Sequence, residues 1–325
     1  MGGQHSTHAY ESVHVLPVTL SKVGTNTYSV QSHTLGNVYL GVDYFVDQGQ
    51  AKRVVKEIVR SDGVKKYMFL NPNNNSMALA SEGGNSIGGA AYDVNDTKQH
   101  WMLFTADWIK EEMQETLSGS QYNASALIPY GRVAANWGGD TRNALWNGAP
   151  AMNGWEGDGG NHCMEKHFWA GETQTFDVYQ EITGLPQGTY TLTVHAFHRS
   201  GDHGTSVTTV LPDLYATNSS TTKTVKICSV NTDAPTTKPN SMAEAGQAFV
   251  NGYYNVTLSD ITVGSDGELR IGVRNTSSDN SARMWACFND FQLLYHGTSS
   301  GDLKGTATYR SIKTAVDEAN ALVAT

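Results

Sequence analysis

The sequence predicts an all-β protein built from two strand-rich modules with little helix. Three observations carry that reading. Charged residues make up only 16% of the 325-residue chain, against roughly 25% in an average globular protein. Glycine occurs 33 times, and Asn, Ser and Thr are plentiful, so turn-forming residues punctuate the chain throughout. Short apolar runs recur between those turns, as in barrels and sandwiches, while helical spacing occurs in only two places. A chain of this length holds about two domains.

The elements follow in order. Residues 1–106 read as a first β module. Its strand-like runs are Val13 to Leu20, Tyr28 to Val30, Val38 to Gly41, Lys65 to Leu70, Met77 to Ala80 and Trp101 to Phe104. The turns between them include Gly24-Thr25-Asn26 and Asn71-Pro72-Asn73-Asn74-Asn75. Residues 107–119 then read as a connector helix, because Ile109, Met113 and Leu117 recur four residues apart. Asp107 is placed to cap it and Gly119 to end it.

From residue 120 to 297 the strands return, longer and more regular, and predict a two-sheet sandwich. Phe176 to Ile182 leads through Gly184-Leu185-Pro186-Gln187-Gly188 into Thr189 to Arg199. In the latter, Tyr190, Leu192, Val194 and Ala196 share a core face, and Thr191, Thr193, His195, Phe197 and Arg199 share the other. Met284 to Tyr295 is apolar on both faces, as expected of a central strand packed between layers. Residues 298–325 turn polar and then helical, with Ile312, Val316, Ala319 and Val323 on one stripe. That uncovered stripe predicts a helix continuing into a longer protein.

Charge and composition exclude several function classes. Lys plus Arg is 22 and Asp plus Glu is 31, a net charge of −9, which disfavours nucleic acid or an anionic membrane as partner. No run of 18 or more apolar residues exists to insert into a bilayer, and Met1 to Tyr10 lacks the basic and apolar regions of a signal peptide. The three cysteines, Cys163, Cys228 and Cys287, form no C-x-x-C pair, which leaves zinc unsupported. Cys163 has Cys228 and Cys287 as alternative disulfide partners in an oxidising compartment.

The segment CMEKHFWAGETQTFDVYQEITGLPQGTYTLTVHAFHR, from Cys163 to Arg199, resembles the galactose-binding-like jelly-roll modules of secreted or surface-attached proteins of glycan-foraging gut bacteria. Leu214-Tyr215-Ala216, Asn240-Ser241-Met242 with Phe249, Gly267 to Gly272 and WACFNDFQLLYHG (Trp285 to Gly297) agree in order and spacing. The first module is similar to a ricin-type β-trefoil, begun part-way through its first repeat, through the stretches GGQHSTHA, NVYLG and QHWMLFTADWIKEEM. The terminal helix looks like the start of a helical spacer. The resemblance implies non-catalytic binding of a glycan or polysaccharide by an accessory module, next to other domains of a larger secreted or cell-surface protein. The other reading is a structural or protein-docking spacer without a ligand.

A sugar presents an apolar C–H face and a rim of hydroxyls, so its site needs an exposed aromatic ring with donors and acceptors around it. Trp137 to Trp169 holds four tryptophans in 33 residues, among eight glycines and prolines. An indole in a sandwich also serves as core filler. Trp146 and Trp155 are expected at the surface because Gly and Asn flank them, with Asn161, Glu165 and His167 as polar partners. A second expected surface runs over His195, Phe197 and Arg199 and continues across Tyr179.

The jelly-roll likeness further implies a possible structural calcium, with Asp290 standing where calcium-bearing relatives place an acid in the last strand. The partner segment of those relatives, of Asn-Pro-x-Phe-Glu type, is replaced by Ile128-Pro129-Tyr130-Gly131-Arg132. No pair among Asp140, Glu156, Asp158 and Glu165 is fixed by spacing as the two carboxylates of a glycosidase, so no catalytic residue is assigned.

Overall fold

The computed structural model describes residues 18–32, 38–40, 45–47, 52–59, 65–71, 74–83, 86–101, 106–114, 116, 120–128, 131–132, 146–150, 163–202, 212–231, 236–298, 312 and 314–316. They are mostly strand, in antiparallel sheets with few helices, and fall into two compact units, residues 14–105 and residues from 106 onward.

The first unit is one antiparallel sheet of eight strands. They are β1 (Val18–Gly24), β2 (Thr27–Ser32), β3 (Val38–Leu40), β4 (Phe45–Asp47), β5 (Lys52–Val59), β6 (Lys65–Asn71), β7 (Asn74–Gly83) and β8 (Ser86–Ala91). Strands β4, β5 and β8 have no counterpart among the expected runs. Alternation along β6 and β7 separates two small cores. Met68, Leu70 and Ala78 gather with Val54 and Tyr92 on one face, and Phe69 and Leu79 with Val55, Tyr67 and Trp101 on the other. The Trp101 indole N–H donates to Leu79 O at 3.1 Å.

The second unit opens with helix α1 (Ala106–Gln114), whose Ile109 and Met113 are buried at the predicted four-residue spacing. Two sheets follow. The larger contains β9 (Tyr122–Asn123), β10 (Met164–Phe168), β12 (Gly188–Ser200), β15 (Cys228–Ser229), β16 (Asn255–Val263) and β18 (Met284–Tyr295). The smaller runs in the order β11 (Phe176–Ile182), β17 (Leu269–Asn275), β13 (Asp213–Thr217) and β14 (Thr222–Lys226). The sheets form a sandwich. Phe168 of one stacks on Phe176 of the other at 6.1 Å, and Val178, Leu214, Ile271 and Val273 lie buried in the smaller sheet, with Tyr190, Leu192 and Val194 in the larger.

The turn from Gly184 to Gly188 therefore joins two sheets and not two neighbouring strands. β11 pairs with β17, and β12 pairs with β16 and β18. Strand β18 is central, as its doubly apolar pattern predicts, between β10 and β12.

Helix α2 (Met242–Val250) has no counterpart among the expected elements. Ser241 Oγ accepts from Glu244 N–H at 3.2 Å, and Glu244 Oε2 accepts from Asn240 N–H at 2.6 Å, a reciprocal cap that starts the helix. Met242, Ala245, Ala248 and Phe249 form its buried stripe. All three cysteines are free thiols. Cys163 and Cys287 lie under α2, with the Met242 sulfur at 3.7 and 3.9 Å from their Sγ atoms. Burial pushes the Cys287 thiol up. Of the terminal segment, Ile312 and Thr314 to Val316 are helical, and Ile312 and Val316 are exposed.

Candidate functional site

Strand register fixes what the outer face of the larger sheet presents. Across β10, β18 and β12, Glu165, Cys287 and Phe197 form one row, and His167, Trp285 and Arg199 form the next. Residues two apart on a strand share a face, so Trp169, Arg283 and Gly201 come level one pleat further on. The Gly201 N–H donates to Arg283 O at 2.8 Å and holds that third row together.

Helix α2 covers the inner rows. Phe197 is wholly buried against Phe249, Tyr254 and Trp285, with ring centroids 5.7, 4.8 and 5.2 Å away. The last row is left open. There Trp169 is 44% exposed, with His167 edge-on at 5.1 Å and the Arg283 guanidinium 4.7 Å from the ring centre.

The Trp169 turn is tied down from several sides. Its N–H donates to Glu172 Oε2 at 2.7 Å, and its carbonyl accepts from Glu172 N–H at 3.2 Å. The buried Gln174 amide donates to Trp169 O at 3.2 Å and to Ala282 O at 2.6 Å, drawing the turn beside Arg283. Gly171, at φ +86°, donates to Asn280 O at 2.8 Å. A ring held this way sacrifices little conformational freedom when a ligand lies against it.

Below Trp169, the Trp285 indole N–H donates to Glu165 Oε2 at 2.5 Å, and the Arg199 guanidinium lies 4.8 Å from the Trp285 ring centre. Arg199 Nη1 donates to Asn240 Oδ1 at 2.9 Å. Burial lowers the His167 pKa, and the positive guanidiniums of Arg283 and Arg199 lower it further against the opposing pull of Glu172. A neutral imidazole, with one N–H and one acceptor nitrogen, suits a hydroxyl partner.

No protein family and no curated protein matches the chain. Among solved structures, one similar to it is a family 61 carbohydrate-binding module in complex with β-1,4-galactotriose. It shows 16% identity over 40% of this chain and 68% of the other, at a TM-score of 0.25. A fragment comprising domains CD of a larger protein shows 10% identity over 86% of this chain and 99% of its own, at 0.23. The GH31 α-xylosidase from Xanthomonas citri shows 8% identity over 87% of this chain and 33% of its own, at 0.14. Likenesses this loose transfer no site; the geometry above stands by itself.

The structure rearranges the expected site. Glu165, His167 and Arg199 do come together, but Glu165 is a buried support for Trp285 and not a surface contact. Trp146 is 2% exposed, packed 4.6 Å from Phe291, because its segment is sewn to the edge of β11. Gly148, at φ +83°, permits that seam, since a Cβ there would meet Asp177 O at 2.0 Å. Trp155 and Asn161 lie outside the described residues.

The expected surface over His195 and Phe197 is a second core beneath α2, and Arg199, 9% exposed, lies at the edge of that core where it reaches Asn240 just before the helix. Amphipathic alternation tells which residues share a face, not whether a distant helix caps it. Tyr179 does not continue that surface, because it belongs to the opposite sheet, where the Arg270 guanidinium sits 4.1 Å from its ring centre.

Among the described residues, no group of three or more His, Cys, Asp or Glu side chains gathers around Asp290 or elsewhere to hold a metal ion. Calcium takes six to eight oxygen ligands. Asp290 Oδ2 accepts from Gln292 Nε2 at 2.9 Å and lies 3.7 Å from His195 Nε2, and His195 Nδ1 is 2.9 Å from Tyr253 O.

Trp169 and Arg283 are what sequence reasoning passed over. Trp169 stood among the four tryptophans, and Arg283 precedes Trp285 by two residues on the last strand's outer face. The pairing of β10 with β18 was the missing fact.

Proposed function

We propose that the second unit is a non-catalytic carbohydrate-binding module of jelly-roll type, acting as an accessory to a larger secreted or cell-surface protein. The observation that carries the reading is the exposed, backbone-tethered Trp169, framed by His167 and Arg283 at the uncovered end of the sheet. A flat indole stacks on the C–H face of a sugar ring, while imidazole and guanidinium groups meet its hydroxyls. The described carboxylates around this ledge already have work in holding it. Glu165 supports Trp285, Glu172 fixes the Trp169 turn, and Asp202 Oδ1 meets Arg283 Nε at 3.0 Å. That arrangement favours binding over glycosidic cleavage. The ricin-type trefoil likeness of the first unit rests on its sequence stretches.

A site with one aromatic platform supports a Kd of about 10 μM to 1 mM. Affinity electrophoresis of the full chain through gels cast with a panel of plant, host and microbial polysaccharides tests the reading. Retardation on at least one polysaccharide, without release of reducing sugar, is the expected result. Unaltered mobility on every one, with the fold intact, overturns it.

A further inference from the structure

Arg199 is the residue on the ledge whose partners do not balance its chemistry. A guanidinium carries five N–H donors and a permanent positive charge. Arg199 is only 9% exposed, yet its one hydrogen bond among the described residues goes to a neutral group, the Asn240 amide oxygen. Its Nε is buried without a partner, and it forms no ion pair among the described residues. Cations shielded from water are normally paired, because an uncompensated charge is costly to bury.

A second guanidinium stands nearby. Arg283 lies one pleat further along the same face and is close enough to lower the pKa of both Arg199 and His167. Its partner Asp202 lies at the surface, with its side chain 68% exposed, where an ion pair contributes little. Glu165, Glu172 and Asp202 border the ledge as well, and Asp202 raises the Arg199 pKa, but each is engaged in another contact and leaves the buried Arg199 Nε without a partner.

We infer that the ledge selects an anionic glycan, one whose sugars carry a carboxylate or a sulfate ester that pairs with Arg199 and Arg283 while the ring lies on Trp169. Planar bidentate pairing of a guanidinium with either group supplies orientation as well as affinity. This inference rests on the carbohydrate-binding reading and adds the charge of the ligand to it. The net negative charge of the chain works against indiscriminate adsorption of polyanions, so retention of one points to a local site.

The test compares each anionic polymer with its own neutral form, using the full chain at about 0.15 M salt to screen distant charges. Polygalacturonate is set against its methyl ester, and dextran sulfate against dextran. The expected result is at least about tenfold tighter retention of one anionic form than of its neutral counterpart, the range of a charge-assisted hydrogen bond. The pair that responds tells carboxylate from sulfate. Arg283→Gln, at a half-exposed side chain, and Arg199→Gln should each remove the preference; the first remains informative should the second fail to fold. Equal retention of charged and neutral forms overturns the inference and leaves the sugar reading standing. Retention of none of the four overturns the inference, and the wider polysaccharide panel then decides the sugar reading. A preference that survives in Arg283→Gln overturns the location.

Discussion

Two stretches of one sheet face, two pleats apart, have opposite fates. Phe197 and Cys287 lie wholly beneath helix α2, whereas Trp169 is 44% exposed to solvent. Both stretches are aromatic and both derive from strands of the same sheet. The difference is the length of α2, which begins at Met242 beside Arg199 and runs back over the inner rows. Burial, and with it the division between stability and recognition, is set on this face by a nine-residue helix. The covered stretch should be sensitive in stability and the open one in binding.

The largest effect is expected at Phe197, which touches three aromatic rings under the helix. Phe197→Ala should cost about 3–5 kcal/mol in denaturant unfolding, as for other buried aromatics. A loss below 1 kcal/mol would mean that α2 does not seal this face.

Next comes His198, on the opposite side of the same strand. Burial depresses its pKa from 6.5 to about 4, and its Nε2 lies 2.8 Å from Ser200 Oγ. Between those values the unfolded chain binds more protons than the folded one, so stability rises with pH across the window. The contribution is fully present above pH 6.5 and is lost as pH falls toward 4, about 3 kcal/mol in all. Unfolding free energies measured at intervals from pH 4 to 7 should show that slope, and His198→Gln should flatten it.

A smaller effect tests the helix itself. Ser241→Ala removes the oxygen that accepts Glu244 N–H and should cost about 1 kcal/mol. If loosening the cap also changed access to the ledge, glycan retention would shift by more than stability does.

The same contrast explains what the sequence could and could not reveal. Alternation in β12 and the doubly apolar β18 were legible, because a two-residue period needs no partner to be read. The four-residue spacing of Ile109 and Met113 placed α1 equally well. Helix α2 escaped because its nine residues, rich in Ala and Gly, make a stripe too short to separate from a loop. Without α2, His195, Phe197 and Arg199 looked like open surface. Trp146 misled for a related reason. Its glycine-rich neighbours signalled a turn, but the turn folds inward along β11, and that depends on a pairing over 30 residues away. Trp169 emerged only once β10 was set against β18, which brings Arg283 to its side.

The most direct test of the account is titration of the full chain and its Trp169→Ala variant with whichever glycan the wild type retains. Removing a half-exposed ring should leave the unfolding free energy within about 0.5 kcal/mol of wild type. Binding should fall at least about tenfold, the share of a stacking platform. Unchanged affinity in a folded Trp169→Ala protein would contradict the account and move the site off this ledge.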